Sequence, residues 1–145
     1  MSKIGFIGLG LMGGAMVGRL LDKGHELVVL GNRDRTYIDP AIARGAKEAA
    51  NAFEVAQASD IVMLCMGTSD QVEGRMRGDQ GVIAGLNAGA VVIDFGTSLP
   101  ASTKALGAEV AAAGGAYLDA PLGRTPAHAV DGLLNIMCSG DKAAF

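Results

Sequence analysis

Apolar residues fall along this chain in two alternating patterns: short unbroken runs, and longer stretches in which they recur every three to five positions. The first run, residues 3–8, is rich in β-formers. It leads into 11–23, where Met12, Met16, Leu20 and Leu21 repeat at helical spacing until Gly24 stops the helix. A second run at 26–30 ends in the polar segment 31–35, after which a helix with Pro40 in its first turn ends before Gly45. Residues 51–58 read as a short helix capped by Asn51, 60–66 as a buried strand, 69–76 as a helix and 90–95 as a strand. Pro100 opens a helix that runs to Ala113, Gly114 and Gly115 close it, and 116–119 is a short strand. Residues 133–138 form the last predicted strand.

Runs that are apolar throughout belong to a sheet covered on both faces, and their alternation with helices makes the strands parallel through right-handed crossovers. The predicted fold is α/β: a doubly wound, mainly parallel Rossmann-type sheet with helices on both faces. Ligands of such sheets sit beyond the carboxyl ends of the strands. Five segments, 8–13, 31–35, 65–69, 94–98 and 121–129, are therefore expected to line one edge and carry the function.

Half of the 145 residues are apolar, enough for one domain with its own core. A net charge of -3 without clusters of Lys or Arg argues against nucleic acid and against an anionic membrane as partners. No uncharged apolar run approaches the roughly 18 residues of a membrane span, and the amino terminus passes directly into a strand, so a soluble, cytoplasmic protein is expected. Cys65 and Cys138 each lie in an apolar run and read as buried core, and no metal-ligating constellation is recognised. The 22 glycines punctuate periodic segments rather than forming repeats.

The strongest chemical signal is Gly8-Leu9-Gly10-Leu11-Met12-Gly13, set between a strand and an amphipathic helix. Gly8 permits a tight turn, Gly10 lets backbone approach a pyrophosphate, and Gly13 lets the helix pack on the strand, with the helix amino terminus meeting the anion. This pattern binds the diphosphate of NAD or NADP; its bland alternative is a plain strand-to-helix turn. The choice of nucleotide is read at Gly31-Asn32-Arg33-Asp34-Arg35, where no acid stands at the strand tip. Arg33 or Arg35 could fork a 2′-phosphate while Asn32 bonds a ribose oxygen, which favours NADP; Asp34 keeps NAD open, and Arg35 reads as a solvated loop charge. A hydroxyl at 97–98 can bond a ribose or cap the helix that follows. Arg124, flanked by Gly123 and Thr125 after a strand, can grip a small oxyanion.

Together, Gly5-Phe6-Ile7-Gly8-Leu9-Gly10-Leu11-Met12-Gly13, Val92-Ile93-Asp94 with Thr97 and Pro100, Asp119-Ala120-Pro121, and Gly132-Leu133-Leu134-Asn135-Ile136-Met137 resemble the β-hydroxyacid dehydrogenase family over the whole chain. The resemblance implies hydride transfer between a nicotinamide cofactor and a short β-hydroxy acid or its semialdehyde. It also implies that Thr97 lies near the nicotinamide end and that Cys65 and Met66 line the cofactor edge. Where the family's substrate loop reads Ser-Gly-Gly, this chain has Gly123-Arg124-Thr125, a version that resembles sulfolactaldehyde reductase and implies that Arg124 grips the anion of a small aldehyde. His128 reads as a solvent-facing loop residue. The tip of the second strand carries one residue more than the family's Asn-Arg-Thr, so either Asn32 or Arg33 occupies the arginine position, and Gly96 replaces a Ser at the cost of one hydroxyl contact.

The family's proton-transfer lysine, in a G-x-x-G-x-G-x-x-x-K segment, is absent: Lys3, Lys23, Lys47, Lys104 and Lys142 do not match it, so no catalytic residue is assigned. The expectation is an NAD(P)-binding domain spanning 1–145, a truncated piece of a longer enzyme whose helical second domain supplies that lysine and a homo-oligomer interface. This piece alone would bind cofactor and turn over little. A non-catalytic nucleotide-sensing module is the alternative; flavin or S-adenosylmethionine on the same loop suits the fold but not the downstream motifs.

Overall fold

The computed structural model describes all of residues 1–145. Four repeats of strand and helix open the chain: β1 (Ile4–Ile7) and α1 (Leu11–Asp22), β2 (Leu27–Leu30) and α2 (Ile38–Ala43), β3 (Lys47–Ala49) and α3 (Ala52–Gln57), β4 (Ile61–Leu64) and α4 (Ser69–Met76). A short α5 (Val82–Gly85) precedes β5 (Val91–Asp94), α6 (Pro100–Ala112) and β6 (Ala116–Asp119). The chain closes with β7 (Leu122–Gly123), α7 (Pro126–Asp131), β8 (Asn135–Ile136) and β9 (Ser139–Gly140).

The main sheet has the order β3-β2-β1-β4-β5-β6-β9, and every neighbour from β3 to β6 is parallel. Chain direction reverses its march across the sheet between β1 and β4, which opens the crevice where such sheets bind ligands. Successive side chains of each strand enter opposite cores. Phe6, Val29 and Leu27 pack with Met16 and Val17 of α1, Ala41 of α2 and Ala129 of α7. Ile7, Leu30, Val62, Leu64 and Val92 pack with Val55 of α3, Val72 and Met76 of α4, Val82 of α5 and Leu106 of α6. The sheet is covered on both faces, as its all-apolar strands require.

The carboxyl-terminal segment departs from expectation. Residues 133–138 do not form one buried strand: β8 pairs antiparallel with β7 in a separate two-stranded ribbon, and β9 pairs antiparallel with β6 at the edge of the main sheet. Leu133, Ile136 and Met137 are exposed, and Cys138 is exposed rather than core. The run is apolar but lies over the rim of the domain, where no second layer of this chain covers it. Cys65 is half-buried against the α1 side of the core. No helix is long and apolar enough to cross a membrane.

Candidate functional site

The five segments expected at one edge all follow the carboxyl ends of parallel strands and meet there. In the glycine loop, two glycines are demanded by the chain itself. Gly8 has φ of +98°, and a Cβ on it would overlap the Cys65 carbonyl of the neighbouring strand loop; a Cβ on Gly13 would overlap the Gly8 carbonyl. Gly10 differs. Its φ is -84° and a Cβ there would meet nothing within 4 Å. The fold gives no reason for that glycine, whereas a ligand lying against the backbone does. Gly10 also caps α1 without any side-chain hydrogen bond, and the first turn holds no acidic residue, so the N–H groups and positive dipole end of a 12-residue helix are left for an anion. Leu11 is exposed beside the loop and Met12 is half-buried against the core. These residues fit the diphosphate of a dinucleotide.

Beyond β2, the loop is divided. Arg35 donates from both terminal nitrogens to Glu48, at 2.6 and 3.0 Å, and from Nε to Asp39 at 2.9 Å. Arg35 remains an exposed charge, as its sequence reading had it, but an ion-paired one rather than a free phosphate ligand, because the fork that would read a phosphate already holds β3. Glu48 is held below the usual carboxylate range by this guanidinium. A Cβ on Gly31 would overlap the Glu48 carboxylate, which keeps the strand tip free of any side chain. Arg33 forms no ion pair; its N–H donates to Asn32 Oδ1 at 2.7 Å, leaving the Asn32 amide nitrogen and the Arg33 guanidinium open. An open depression of about 650 Å³ is lined by Gly31, Asn32, Arg33, Arg35 and Glu48, and a cleft of about 400 Å³ on the other side of Asn32 by Met66, Gln71, Gly74 and Arg75.

Past β5 stands the residue that sequence reasoning passed over. Asp94 is fully buried and accepts from Gly96 N–H at 2.9 Å, Ser98 Oγ at 2.7 Å and the Tyr117 hydroxyl at 3.2 Å. This carboxylate ties down the loop that presents Thr97, whose exposed hydroxyl has no partner in the chain. The signal in the sequence was an acid ending the apolar run of β5. Burial, then the Asp94 charge, push the Cys65 thiol up to about 11 and raise the Tyr117 hydroxyl well above its ordinary value; the same two causes raise Asp119. Neither Thr97 nor Ser98 caps α6. Leu99 occupies the cap and its N–H donates to Ser69 Oγ at 2.9 Å, while the Ser98 hydroxyl donates to Asp94. Gly96 is more than a lost hydroxyl: a Cβ there would stand 3.1 Å from both Asp94 Oδ1 and the Met66 carbonyl.

At the substrate loop, Gly123 belongs to β7 and pairs with Asn135, so 121–129 is not a continuous loop. Arg124 is the one non-glycine residue with left-handed φ, +76°, and its exposed side chain donates from Nη1 to the Leu133 carbonyl at 3.0 Å. Thr125 caps α7, with its Oγ1 2.7 Å from His128 Nδ1. His128 is consequently a half-buried helix residue engaged in a cap, not a solvent-facing loop residue.

The chain matches the NAD binding domain of 6-phosphogluconate dehydrogenase over residues 3–145. It is 36% identical to the 3-sulfolactaldehyde reductase of Escherichia coli (strain K12), over 97% of this chain and 47% of that protein. Among solved structures, Psf3 in complex with NADP+ and 2-OPP superposes with a TM-score of 0.90 at 32% identity, covering 97% of this chain and 50% of the other. The Mycobacterium tuberculosis 3-hydroxyisobutyrate dehydrogenase with L-serine gives 0.89 at 27% identity, covering 99% and 48%. The chain spans about half the length of the relatives it matches. A parallel sheet reversing at β1 and β4, a glycine loop open only at Gly10, and a family match running from Lys3 to Phe145 agree: the chain belongs to the family of the NAD binding domain of 6-phosphogluconate dehydrogenase.

Proposed function

We propose that residues 1–145 are the cofactor-binding domain of a longer oxidoreductase that interconverts a small β-hydroxy acid or hydroxy-sulfonate and its semialdehyde with NADP, or less favourably NAD. A bound nicotinamide supplies or takes the hydride. The observation that carries the reading is Gly10, a glycine with ordinary backbone and empty space before it, at the uncapped start of α1. In this reading Gly8 and Gly13 shape the loop, while the α1 N–H groups at Leu11 and Met12 hold the diphosphate. Asn32 and Arg33 hold the adenosine ribose and its 2′-phosphate, Cys65 and Met66 wall the cofactor edge, and Thr97 orients the nicotinamide end. Gly123, Arg124 and Thr125 bind the substrate anion, with Arg124 supplying charge-assisted hydrogen bonds from its remaining N–H donors. No lysine of this chain is placed to move the proton, so that step is assigned to the remainder of the protein, where general acid–base help is typically worth 10²–10⁴-fold.

Titration of the chain with NADPH and NADH tests the cofactor role, and Gly10→Ala is expected to weaken both by at least about tenfold while lowering stability by less than about 1 kcal/mol, the scale of a helix-cap change. Binding of neither nucleotide by the unaltered chain would refute the reading. For catalysis, the full-length gene product is expected to reduce a small anionic semialdehyde with NADPH. Tight binding without turnover would instead identify a nucleotide-sensing module.

A further inference from the structure

Most arginines of the chain have partners. Arg35, Arg44 and Arg77 sit in ion pairs with Asp or Glu, and Arg124 donates to a carbonyl. Of the remainder, Arg33 and Arg75 flank Asn32: Arg33 lines the depression on the β3 side, and Arg75 lines the cleft on the α4 side together with Asn32, Met66, Gln71 and Gly74. Arg75 lies in the last turn of α4, where a cation complements the helix dipole, and dipole compensation alone would account for its charge. Its neighbour is not accounted for that way. Gly74 stands inside α4 with no left-handed φ and nothing within 4 Å of the position its Cβ would take. A glycine so placed weakens a helix by about 1 kcal/mol relative to alanine, and no contact in the chain offsets that. Where α4 borders the cleft, Gln71 is turned back to accept from the Gly67 N–H, Gly74 presents bare backbone, and the unpaired Arg75 guanidinium follows.

We propose that Arg75 is a specificity-determining residue that pairs, from the α4 side, with the 2′-phosphate of the dinucleotide's adenosine that Arg33 meets from the β2 side, Gly74 leaving room for the base between them. This rests on the dinucleotide reading given above. A phosphate monoester carries close to two negative charges at neutral pH and presents three oxygens, more than one guanidinium fork can occupy. Arg35 cannot serve as the second cation, since Glu48 and Asp39 hold it. Arg75 borders the same cleft as Asn32 and is free.

The test is the dissociation constant of NADPH and of NADH, by fluorescence titration at two salt concentrations, for the unaltered chain and for Arg75→Ala, Arg75→Lys, Arg33→Ala, the double Arg33→Ala/Arg75→Ala and Gly74→Leu, with thermal melts confirming that each folds. Arg75→Ala is expected to weaken NADPH about tenfold, leave NADH within about twofold and reduce the salt dependence of NADPH binding. Arg75→Lys should recover part of the loss. The double variant should depart from the sum of the single effects, because both arginines serve one phosphate. Gly74→Leu should weaken both nucleotides alike. Equal weakening of NADPH and NADH by Arg75→Ala would mean that Arg75 touches the base or ribose, and no change in either would leave it a solvated dipole charge; each result overturns the proposal while the cofactor reading stands. Failure of the unaltered chain to bind either nucleotide would overturn both.

Discussion

Arg124 combines two observations that pull in opposite directions. Its left-handed backbone costs a non-glycine residue on the order of 1 kcal/mol, yet its side chain is the one cation at the substrate loop. Arg124→Gly should accordingly leave the thermal midpoint unchanged or raise it, while in the full-length enzyme the KM for an anionic aldehyde rises at least about tenfold and that for a neutral aldehyde changes little. Equal effects on the two substrates would remove Arg124 from anion binding. The cysteines offer a second measurement at this scale. Cys65, with its pKa raised to about 11, stays a thiol through neutral and mildly alkaline pH, and only the thiolate is nucleophilic. Iodoacetamide at pH 8 should label exposed Cys138 and spare Cys65 in the native chain, with both labelled after denaturation; comparable native rates would contradict the burial of Cys65. Both cysteines look alike in the sequence because apolar neighbours mark what a residue prefers, not whether anything covers it. Asp94 illustrates the converse. Its position was legible, but the meeting of Gly96, Ser98 and Tyr117 on one carboxylate spans 23 residues and needs the sheet register to be seen.

Among the elements, α1 shows how a three-glycine spacing divides between folding and binding. Gly13→Ala forces a methyl group into the Gly8 carbonyl and should destabilise by about 1–3 kcal/mol, the range of overpacking. In chemical denaturation the midpoint should fall with an unchanged slope, and a variant as stable as the parent would show that α1 can shift away from β1 without cost. Strands β1, β2, β4, β5 and β6 were legible because their apolar runs are buried in the sheet, so pattern and environment coincide; β3, with exposed Lys47 and Glu48, and the four-residue α5 carry no such pattern and were not. The segment after β6 was not: β7, α7, β8 and β9 are two to six residues long, too short for periodicity, and their pairing is set by tertiary contacts. For the site, the glycine loop and the loop after β2 were legible from residue type alone. The Arg35 fork to Glu48 was not, since it joins residues from two strands.

On the whole molecule, the sheet order fixes where chemistry can occur, and four exposed apolar residues gather beside the substrate loop, where β8 pairs with β7 and Arg124 donates to the Leu133 carbonyl. Val130, Leu133, Ile136 and Met137 are all about half exposed or more and are close in sequence. Large exposed apolar side chains grouped along a short segment promote association. Leu133→Ser/Met137→Ser should therefore lower the apparent mass of the chain in concentration-dependent light scattering without changing dinucleotide affinity by more than about twofold. An apparent mass already constant with concentration in the parent would show that the patch is inert. The two sheet margins behave differently. At one, β3 is three residues long and carries exposed Lys47 and Glu48; at the other, β9 is a two-residue antiparallel strip laid against β6. Short, charged or reversed margins make poor templates for another strand. The domain is thereby guarded against growing into a continuous intermolecular sheet, and whatever self-association it shows is confined to side-chain surfaces that can saturate.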